Sequence, residues 1–139
     1  MCKLASKSLC GGLFLAVVLA VGAGAADDPS IQGETRSGVQ SAMQQFVDGQ
    51  TTGEWLLHYD PVDGKLLRLQ LAELHEGIVR KGHFYVSCAD FRDADGTLYD
   101  LDFLVVPEGE GFRVNQAIVH AVDGKKRKYH VEQQWPGLF

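Results

Sequence analysis

The stretch from Tyr85 to Val106 reads YVSCADFRDADGTLYDLDFLVV, and its pattern decides the fold. Two runs that alternate apolar and polar residues flank the Ala-Asp-Gly sequence at positions 94–96. A glycine at the third position of such a loop suits a three-residue hairpin connection with a bulge, because glycine accepts a positive φ. The pattern therefore predicts a long antiparallel β-hairpin.

The register of this hairpin follows from its turn, which Asp93 and Thr97 flank. One face then pairs Phe91 with Tyr99, Ala89 with Leu101, Ser87 with Phe103, and Tyr85 with Val105. The other face pairs Asp90 with Asp100, Cys88 with Asp102, Val86 with Leu104, and Phe84 with Val106. A shift of one residue would bury the acids, so the register is strongly specified and the first face is the predicted core.

The first 25 residues have the layout of a secretory signal peptide. Lys3 and Lys7 precede an apolar run over residues 9–21, and an Ala23-x-Ala25 cleavage pattern follows it. The run is too short to span a bilayer comfortably, so we expect cleavage without stable membrane insertion, an uncleaved anchor being the alternative. The prediction is a signal peptide over residues 1–25 and a single domain over residues 26–139, in a periplasmic or secreted protein.

Charge and cysteine content narrow the class of protein further. Loss of the two leader lysines would take the formal net charge from −5 to −7, which disfavours a nucleic acid or an anionic membrane as partner. Cys88 is the one cysteine of three that lies outside the leader, so no intrachain disulfide is expected in the exported chain. A disulfide between two chains stays open.

Upstream of the hairpin, the sequence predicts a single helix. Asp28 and Pro29 suit an N-cap and a first helical position, and Gly49 is placed to end the helix. We predict a helix from about Pro29 to Asp48, in which Gly38 permits close approach to a neighbouring element. Its apolar stripe consists of Ile31, Thr35, Gly38, Ala42, Met43, Phe46 and Val47.

Turns divide the rest of the chain into further antiparallel strands. We place them at residues 60–64, around Val79, at residues 107–110 and at Asp123-Gly124. The turn around Val79 would set His75 opposite His83. The predicted fold class is α+β, with one N-terminal helix packed on a four- to six-stranded antiparallel meander sheet and a short apolar C-terminal tail.

A helix followed by four or five antiparallel strands is similar to the cystatin-like and NTF2-like α+β shapes. The CADF...DGT-YDLDF pattern within residues 85–105 resembles small exported bacterial proteins of unassigned function. This resemblance implies a fold without an activity. Cystatin-type protease inhibition would need a Gln-x-Val-x-Gly wedge in the first hairpin, where this chain has Asp-Pro-Val-Asp-Gly at residues 60–64.

Three groups of residues are candidate sites. An apolar patch on the outer sheet face would bind a second copy of the chain or another exported protein, and it consists of Leu74, Phe84, Val86, Leu104 and Val106. A pocket between helix and sheet would bind a small ligand through Tyr85, Tyr99, Gln116 and His120. Carboxylates on neighbouring strands would hold a hard cation such as calcium, or form an ion-paired solvated surface, and they are Asp90, Asp100 and Asp102.

The cysteine and the histidines do not form a predicted catalytic set. Cys88 reads as a small buried residue whose neighbour Asp102 raises the thiol pKa, and no histidine is expected within its reach. His75 and His83 would face each other without a third metal ligand, and His120 would lie on the opposite face from Asp102. We expect an exported, non-enzymatic binding or adaptor module without a cofactor. The alternative is a small-ligand or metal-binding protein, or a weak hydrolase, that uses the pocket under the helix.

Overall fold

The computed structural model describes residues 26–128, so the predicted signal peptide and the apolar C-terminal tail lie outside the described residues. One helix, α1 (Gly33–Gln50), precedes the strands. The strands are β1 (Thr51–Thr52), β2 (Trp55–Asp60), β3 (Lys65–Lys81), β4 (Phe84–Arg92), β5 (Leu98–Glu108), β6 (Gly111–Val122) and β7 (Lys125–Lys126). Within residues 26–128, no helix has the length and apolar character needed to cross a membrane.

The α+β class is confirmed, since one helix packs on one antiparallel sheet. The sheet has seven strands in chain order, whereas four to six were predicted. The difference arises because β1 and β7, each only two residues long, extend the two ends of the strand order. The helix packs chiefly against β6, so the core lies between α1 and one face of the sheet.

Helix α1 begins four residues later than predicted, because Asp28 caps a turn instead of the helix. The Asp28 carboxylate accepts hydrogen bonds from the backbone N–H and the hydroxyl of Ser30, at 2.9 and 2.7 Å. At Gly33 the chain has a φ of +58°, a left-handed value that interrupts a helical path. The helix then runs to Gln50, two residues past the predicted end.

Aromatic rings fill the centre of the core. Phe103 is fully buried, meets Phe46 of α1 edge-on at a centroid distance of 5.8 Å, and lies 6.3 Å from Phe91. The fully buried aliphatic side chains around it are Val39, Met43, Leu69, Ile78, Leu101 and Val105. Each such side chain contributes about 1.5–3 kcal/mol when removed from water, which fixes the face that the sheet turns toward α1.

Gly38 brings α1 close to β6, as predicted. A Cβ atom at this position would lie 2.5 Å from Cδ2 and 2.7 Å from Cε2 of Phe112. The Phe112 ring also meets Tyr85 edge-on, with centroids 5.6 Å apart. A side chain at position 38 would therefore compete with a ring that is already packed.

The central hairpin has the predicted register. The pairs run without a break from Tyr85–Val105 to Arg92–Leu98. The N–H of Asp93 donates to the carbonyl of Thr97 at 3.2 Å, and Gly96 has a φ of +83°. The pairing at the open end stops one residue before the predicted Phe84–Val106 pair.

The turn predicted around Val79 is wrong. Strand β3 continues to Lys81, which pairs with Phe84 across a two-residue turn. Gly82 in this turn has a φ of +58°, which a non-glycine residue adopts at a cost. The turn therefore forms at the glycine, and His83 lies in it, away from His75.

A wide bulge interrupts the middle of β3. Leu74 pairs with Ala89 and Ile78 pairs with Ser87, so three residues of β3 stand opposite Cys88 alone. Leu74 was predicted on the outer patch, but Ala72 is an extra residue between the pairs Leu71–Phe91 and Glu73–Asp90 and reverses the alternation. Leu74 therefore packs against the core, like the buried Ile78. The bulge thus lies between two core-facing segments, and residues 75–77 in it are not part of the regular β3–β4 ladder.

Two further register shifts change the faces of β6. The pairs beside the first shift are Leu104–Gln116 and Val105–Val114, and those beside the second are Asp100–Ala121 and Leu101–Val119. Asn115 and His120 are the extra residues. Because an extra residue reverses the alternation of side chains, Ala117 and Val119 are the residues of β6 in the buried core, where Gln116 and His120 were predicted to face inward.

An ion pair joins the two ends of the strand order. Arg127, which follows β7, donates to Oδ1 of Asp60 at 2.7 Å and to Oδ2 of Asp63 at 2.8 Å. Asp60 is buried at the end of β2. Burial alone would raise the pKa of Asp60, but hydrogen bonds from Arg127 and from the N–H of Val62 outweigh it and lower that pKa. The sheet is therefore curled, and this pair links the end of β2 to the residue that follows β7.

Candidate metal centre

The outer face of β3, β4 and β5 carries a cluster of side chains that can bind a metal ion. His75 comes from the bulge in β3, Cys88 from β4 and Asp100 from β5. One donor atom from each of these residues lies within 4.8 Å of the other two. We call these three residues the inner donor set. Cys88 is buried, and the other two are half-buried.

A second group of donors shares His75. Glu73 and Asp90 are cross-strand partners on β3 and β4. One carboxylate oxygen of each lies within 4.8 Å of the other and of a ring nitrogen of His75. We call Glu73, His75 and Asp90 the outer donor set, because Glu73 is exposed to solvent.

The two ring nitrogens of His75 point toward different partners. Nδ1 lies 2.9 Å from Sγ of Cys88, and Nε2 lies 3.3 Å from Oδ2 of Asp90. A continuous chain of contacts therefore runs from thiol to imidazole to carboxylate. The prediction that no histidine reaches Cys88 is wrong, because it relied on a β3–β4 register without the bulge.

Hydrogen bonds hold the bulge in place. The hydroxyl of Ser87, which is buried, donates to the carbonyl of Gly77 at 2.7 Å and approaches the carbonyl of His75 at 3.4 Å. Arg36 of α1 donates to the carbonyl of Glu76 at 2.5 Å. The carbonyls that leave the regular ladder are thus satisfied, and the position of the imidazole is tied to the core and to the helix.

The electrostatics of the cluster favour a cation. Burial raises the pKa of the Cys88 thiol, and the nearby carboxylates of Asp100, Asp102 and Asp90 raise it further. Burial, followed by the charge of Asp102, also raises the pKa of Asp100. Among the described residues, no hydrogen-bond partner reaches the buried Oδ1 of Asp100. Negative charge is therefore costly here unless a cation compensates it.

These properties suit metal binding better than nucleophilic catalysis. A cysteine nucleophile needs a lowered thiol pKa, whereas the pKa of Cys88 is raised. A bound divalent ion deprotonates a coordinating thiol by itself. Tetrahedral zinc, with bonds of about 2.0–2.3 Å, separates its ligand atoms by roughly 3.5 Å. The inner donor set, with separations from 2.9 Å to at most 4.8 Å, needs only small side-chain movements to match this geometry.

Comparisons with known proteins identify no relative of this chain. No family model, curated protein or solved structure matches the chain. The resemblance to cystatin-like and NTF2-like exported proteins stays a prediction. The donor atoms themselves are the basis for assigning a function.

The three predicted carboxylate ligands do not share one donor set. Asp90 belongs to the outer set and Asp100 to the inner set. Asp102 contacts His120, whose Nδ1 lies 3.0 Å from Oδ2 and 3.1 Å from Oδ1 of the carboxylate. The prediction that His120 and Asp102 lie on opposite faces is wrong, because His120 is an extra residue in the β6 ladder.

The four residues predicted to form a pocket under the helix are not brought together. Tyr85 and Tyr99 are half-buried and pack against the core. Gln116 instead lines a groove of about 430 Å³, together with Tyr59 and Ile118. His120 lies on the outer face with Asp102, as described above.

The predicted partner-binding patch is largely covered. Val86 is buried, Leu74 packs against the core, and the other three residues, Phe84, Leu104 and Val106, are half-buried. Among residues 26–128, the large apolar side chains that are exposed lie instead on β2, on β3 and in the turn between them. They are Leu57, Tyr59, Val62, Leu66 and Leu71.

Sequence reasoning missed the convergence of His75 and Cys88, although a signal for it exists in β3. Inward-facing leucines occupy odd positions at the start of this strand, where Leu67 and Leu69 are buried. The next fully buried residue is Ile78, at an even position. The change of phase comes from Ala72, an extra residue between the pairs Leu71–Phe91 and Glu73–Asp90, and His75 follows it by three residues at the start of the wide bulge.

Proposed function

We propose that the protein is an exported metal-binding protein that holds one Zn²⁺-like divalent cation at the inner donor set. The observation that carries this proposal is the convergence of an imidazole nitrogen, a thiol sulfur and a carboxylate oxygen within 4.8 Å of one another. Mixed nitrogen and sulfur donors favour zinc and similar ions over calcium and magnesium, which prefer oxygen. Export is inferred from the signal-peptide pattern of residues 1–25.

The surroundings of the inner donor set support this assignment. A histidine that binds a metal usually donates its other ring N–H to a carboxylate, which fixes the ring orientation. Asp90 is placed for this role, since its Oδ2 lies 3.3 Å from Nε2 of His75 while Nδ1 faces Cys88. Three protein ligands leave a fourth coordination position for water or another molecule, which suits reversible binding.

Metal titration with ligand variants tests the proposal. Isothermal titration calorimetry with Zn²⁺ should give one ion per chain, and Cys88→Ser, His75→Gln and Asp100→Asn should each weaken binding at least tenfold. The matched controls are His83→Gln and Asp95→Asn, which change the same residue types at exposed positions outside the donor sets. The controls should bind zinc like the unaltered protein.

Thermal unfolding provides a second readout of the same site. A ligand that binds only the folded state at one hundred times its dissociation constant raises the free energy of unfolding by about 2.7 kcal/mol. Zinc should therefore raise the melting temperature of the unaltered protein and of both controls. An absence of zinc binding, or binding that Cys88→Ser leaves unchanged, would rule out the proposed function.

Binding to a second copy of the chain or to another exported protein is the second candidate function. The exposure of Tyr59 (61%) and Leu66 (63%), which are cross-strand partners on β2 and β3, favours it. Light scattering on the protein and on Leu66→Ser tests self-association. A monomer in both cases would exclude the dimer, and a pull-down from the exported fraction tests the other partner.

A further inference from the structure

The shared histidine links the two donor sets in a specific way. A neutral imidazole carries its proton on one ring nitrogen and offers the lone pair of the other to a metal ion. Nδ1 of His75 faces Cys88, and Nε2 faces Asp90. An ion in the inner set uses Nδ1 and needs the proton on Nε2, whereas an ion in the outer set needs the opposite tautomer.

We propose that the inner and outer donor sets are two alternative positions for a single ion, and that the softness of the ion decides which position it takes. This inference rests on the proposed function of the inner set. The inner set offers sulfur, nitrogen and oxygen, a combination that suits Zn²⁺ and Cd²⁺. The outer set offers one nitrogen and two carboxylates, a combination that suits a harder ion such as Mn²⁺.

One divalent ion balances the negative charge of either donor set. The inner set supplies a thiolate and the Asp100 carboxylate, and the outer set supplies the carboxylates of Glu73 and Asp90. Each set therefore provides two negative charges and one neutral imidazole. Filling both positions at once would require the imidazole to lose its second proton, in addition to the repulsion between two cations that share one ring.

The two positions also differ in their exposure to solvent, and this difference favours the same assignment of ions. Cys88 in the inner set is buried, whereas Glu73 in the outer set is exposed. Harder divalent ions lose their hydration water reluctantly and keep several water ligands in protein sites. The solvent-facing outer set accommodates such water molecules, and the inner set favours ions that gain more from a thiolate.

Two spectroscopic probes test this proposal on the full chain. Cd²⁺ should give the ultraviolet charge-transfer band of a cadmium thiolate, and Cys88→Ser should abolish that band. Mn²⁺ binding, followed by electron paramagnetic resonance, should weaken at least tenfold in Glu73→Gln and change less than twofold in Cys88→Ser. His75→Gln should weaken both ions, and Glu76→Gln, an exposed carboxylate in the bulge outside both sets, is the matched control.

Competition between the ions decides the outcome. One equivalent of Cd²⁺ should release bound Mn²⁺ completely. If Cd²⁺ binds through Cys88 but Mn²⁺ does not bind, or if both ions are held together, the two positions are not alternatives and the proposed function still stands. If Cd²⁺ gives no thiolate band, both the proposed function and this inference fail. Circular dichroism spectra of each variant exclude misfolding as the cause of a loss.

Discussion

Replacement of Gly38 by alanine tests the packing of α1 on the sheet with a single methyl group. The new Cβ would lie 2.5 Å from Cδ2 and 2.7 Å from Cε2 of Phe112, whereas carbon atoms in contact normally stay about 3.5–4.0 Å apart. The ring would have to move by about 1 Å. Its edge-on contact with Tyr85, at a centroid distance of 5.6 Å, resists this movement.

The expected change in stability is a balance of two terms. Alanine in a helix interior is favoured over glycine by about 1 kcal/mol, and overpacking of a formed core costs about 1–3 kcal/mol. Gly38→Ala should therefore lower the free energy of unfolding by about 1 kcal/mol. Gly49→Ala is the matched control, because a Cβ at this position of the same helix meets nothing within 4 Å. We expect the control to be neutral or to raise stability by a few tenths of a kcal/mol, because it lies in the last turn.

Urea unfolding followed by circular dichroism measures both variants, and a difference of about 1 kcal/mol corresponds to roughly 4–8 °C in melting temperature for a domain of this size. A third variant, Gly38→Ala combined with Phe112→Leu, should cost less than the sum of the two single changes, since the ring edge is absent. If Gly38→Ala and Gly49→Ala raise stability equally, α1 does not approach Phe112 as described, and the packing argument fails.

Two further changes test the bulge and the closure of the sheet. Ser87→Ala removes the hydroxyl that donates to the carbonyl of Gly77, so it should lower the free energy of unfolding by about 1–3 kcal/mol and weaken zinc binding. Its control, Ser37→Ala on the exposed side of α1, should change stability by less than about 0.5 kcal/mol. Zinc affinity that Ser87→Ala leaves unchanged would contradict its positioning role. Arg127→Gln leaves the buried Asp60 without its charged partner, so the free energy of unfolding at pH 7, measured with urea, should fall by about 3 kcal/mol. Its control, Arg113→Gln, removes an exposed ion pair and should lower that free energy by less than about 1 kcal/mol. Because the pKa of Asp60 is lower in the folded state, the contribution of this pair is present above the unfolded value near 4 and is lost as the pH falls through the folded pKa. The two arginine variants should therefore differ at pH 7 and converge in strong acid, and equal losses at pH 7 would contradict the closure of the sheet by this pair.

The central hairpin was predictable because its determinants are local. Residues 94–96 supply the turn, and the alternation on both sides penalises any other register, since a slip would bury Asp100. The turn at Asp123-Gly124 belongs to the same class, as its two residues have φ values of 47° and 74°. The close approach at Gly38 was also predictable, because a glycine on an apolar helical stripe has few other uses.

The bulges were not predictable by counting residues, because distant contacts stabilise them. The carbonyls of the β3 bulge are satisfied by Ser87 on the next strand and by Arg36 on the helix, 40 residues from Glu76 in sequence. A register count treats each strand as regular and assigns faces by parity alone. It therefore placed His120 on the wrong side of β6 and gave His75 the wrong partner.

The same irregularities create the candidate site. Side chains on one face of a regular sheet stand roughly parallel and about 5 Å apart, so they seldom converge on one ion. Where three residues of β3 oppose Cys88 alone, the strand bends and the imidazole of His75 reaches Sγ at 2.9 Å. A sheet can thus bring candidate metal ligands together where its ladder is broken. The place to search for such a centre in a sequence is near the point at which the apolar alternation changes phase, here at Ala72, three residues before His75, and not in the longest regular strand.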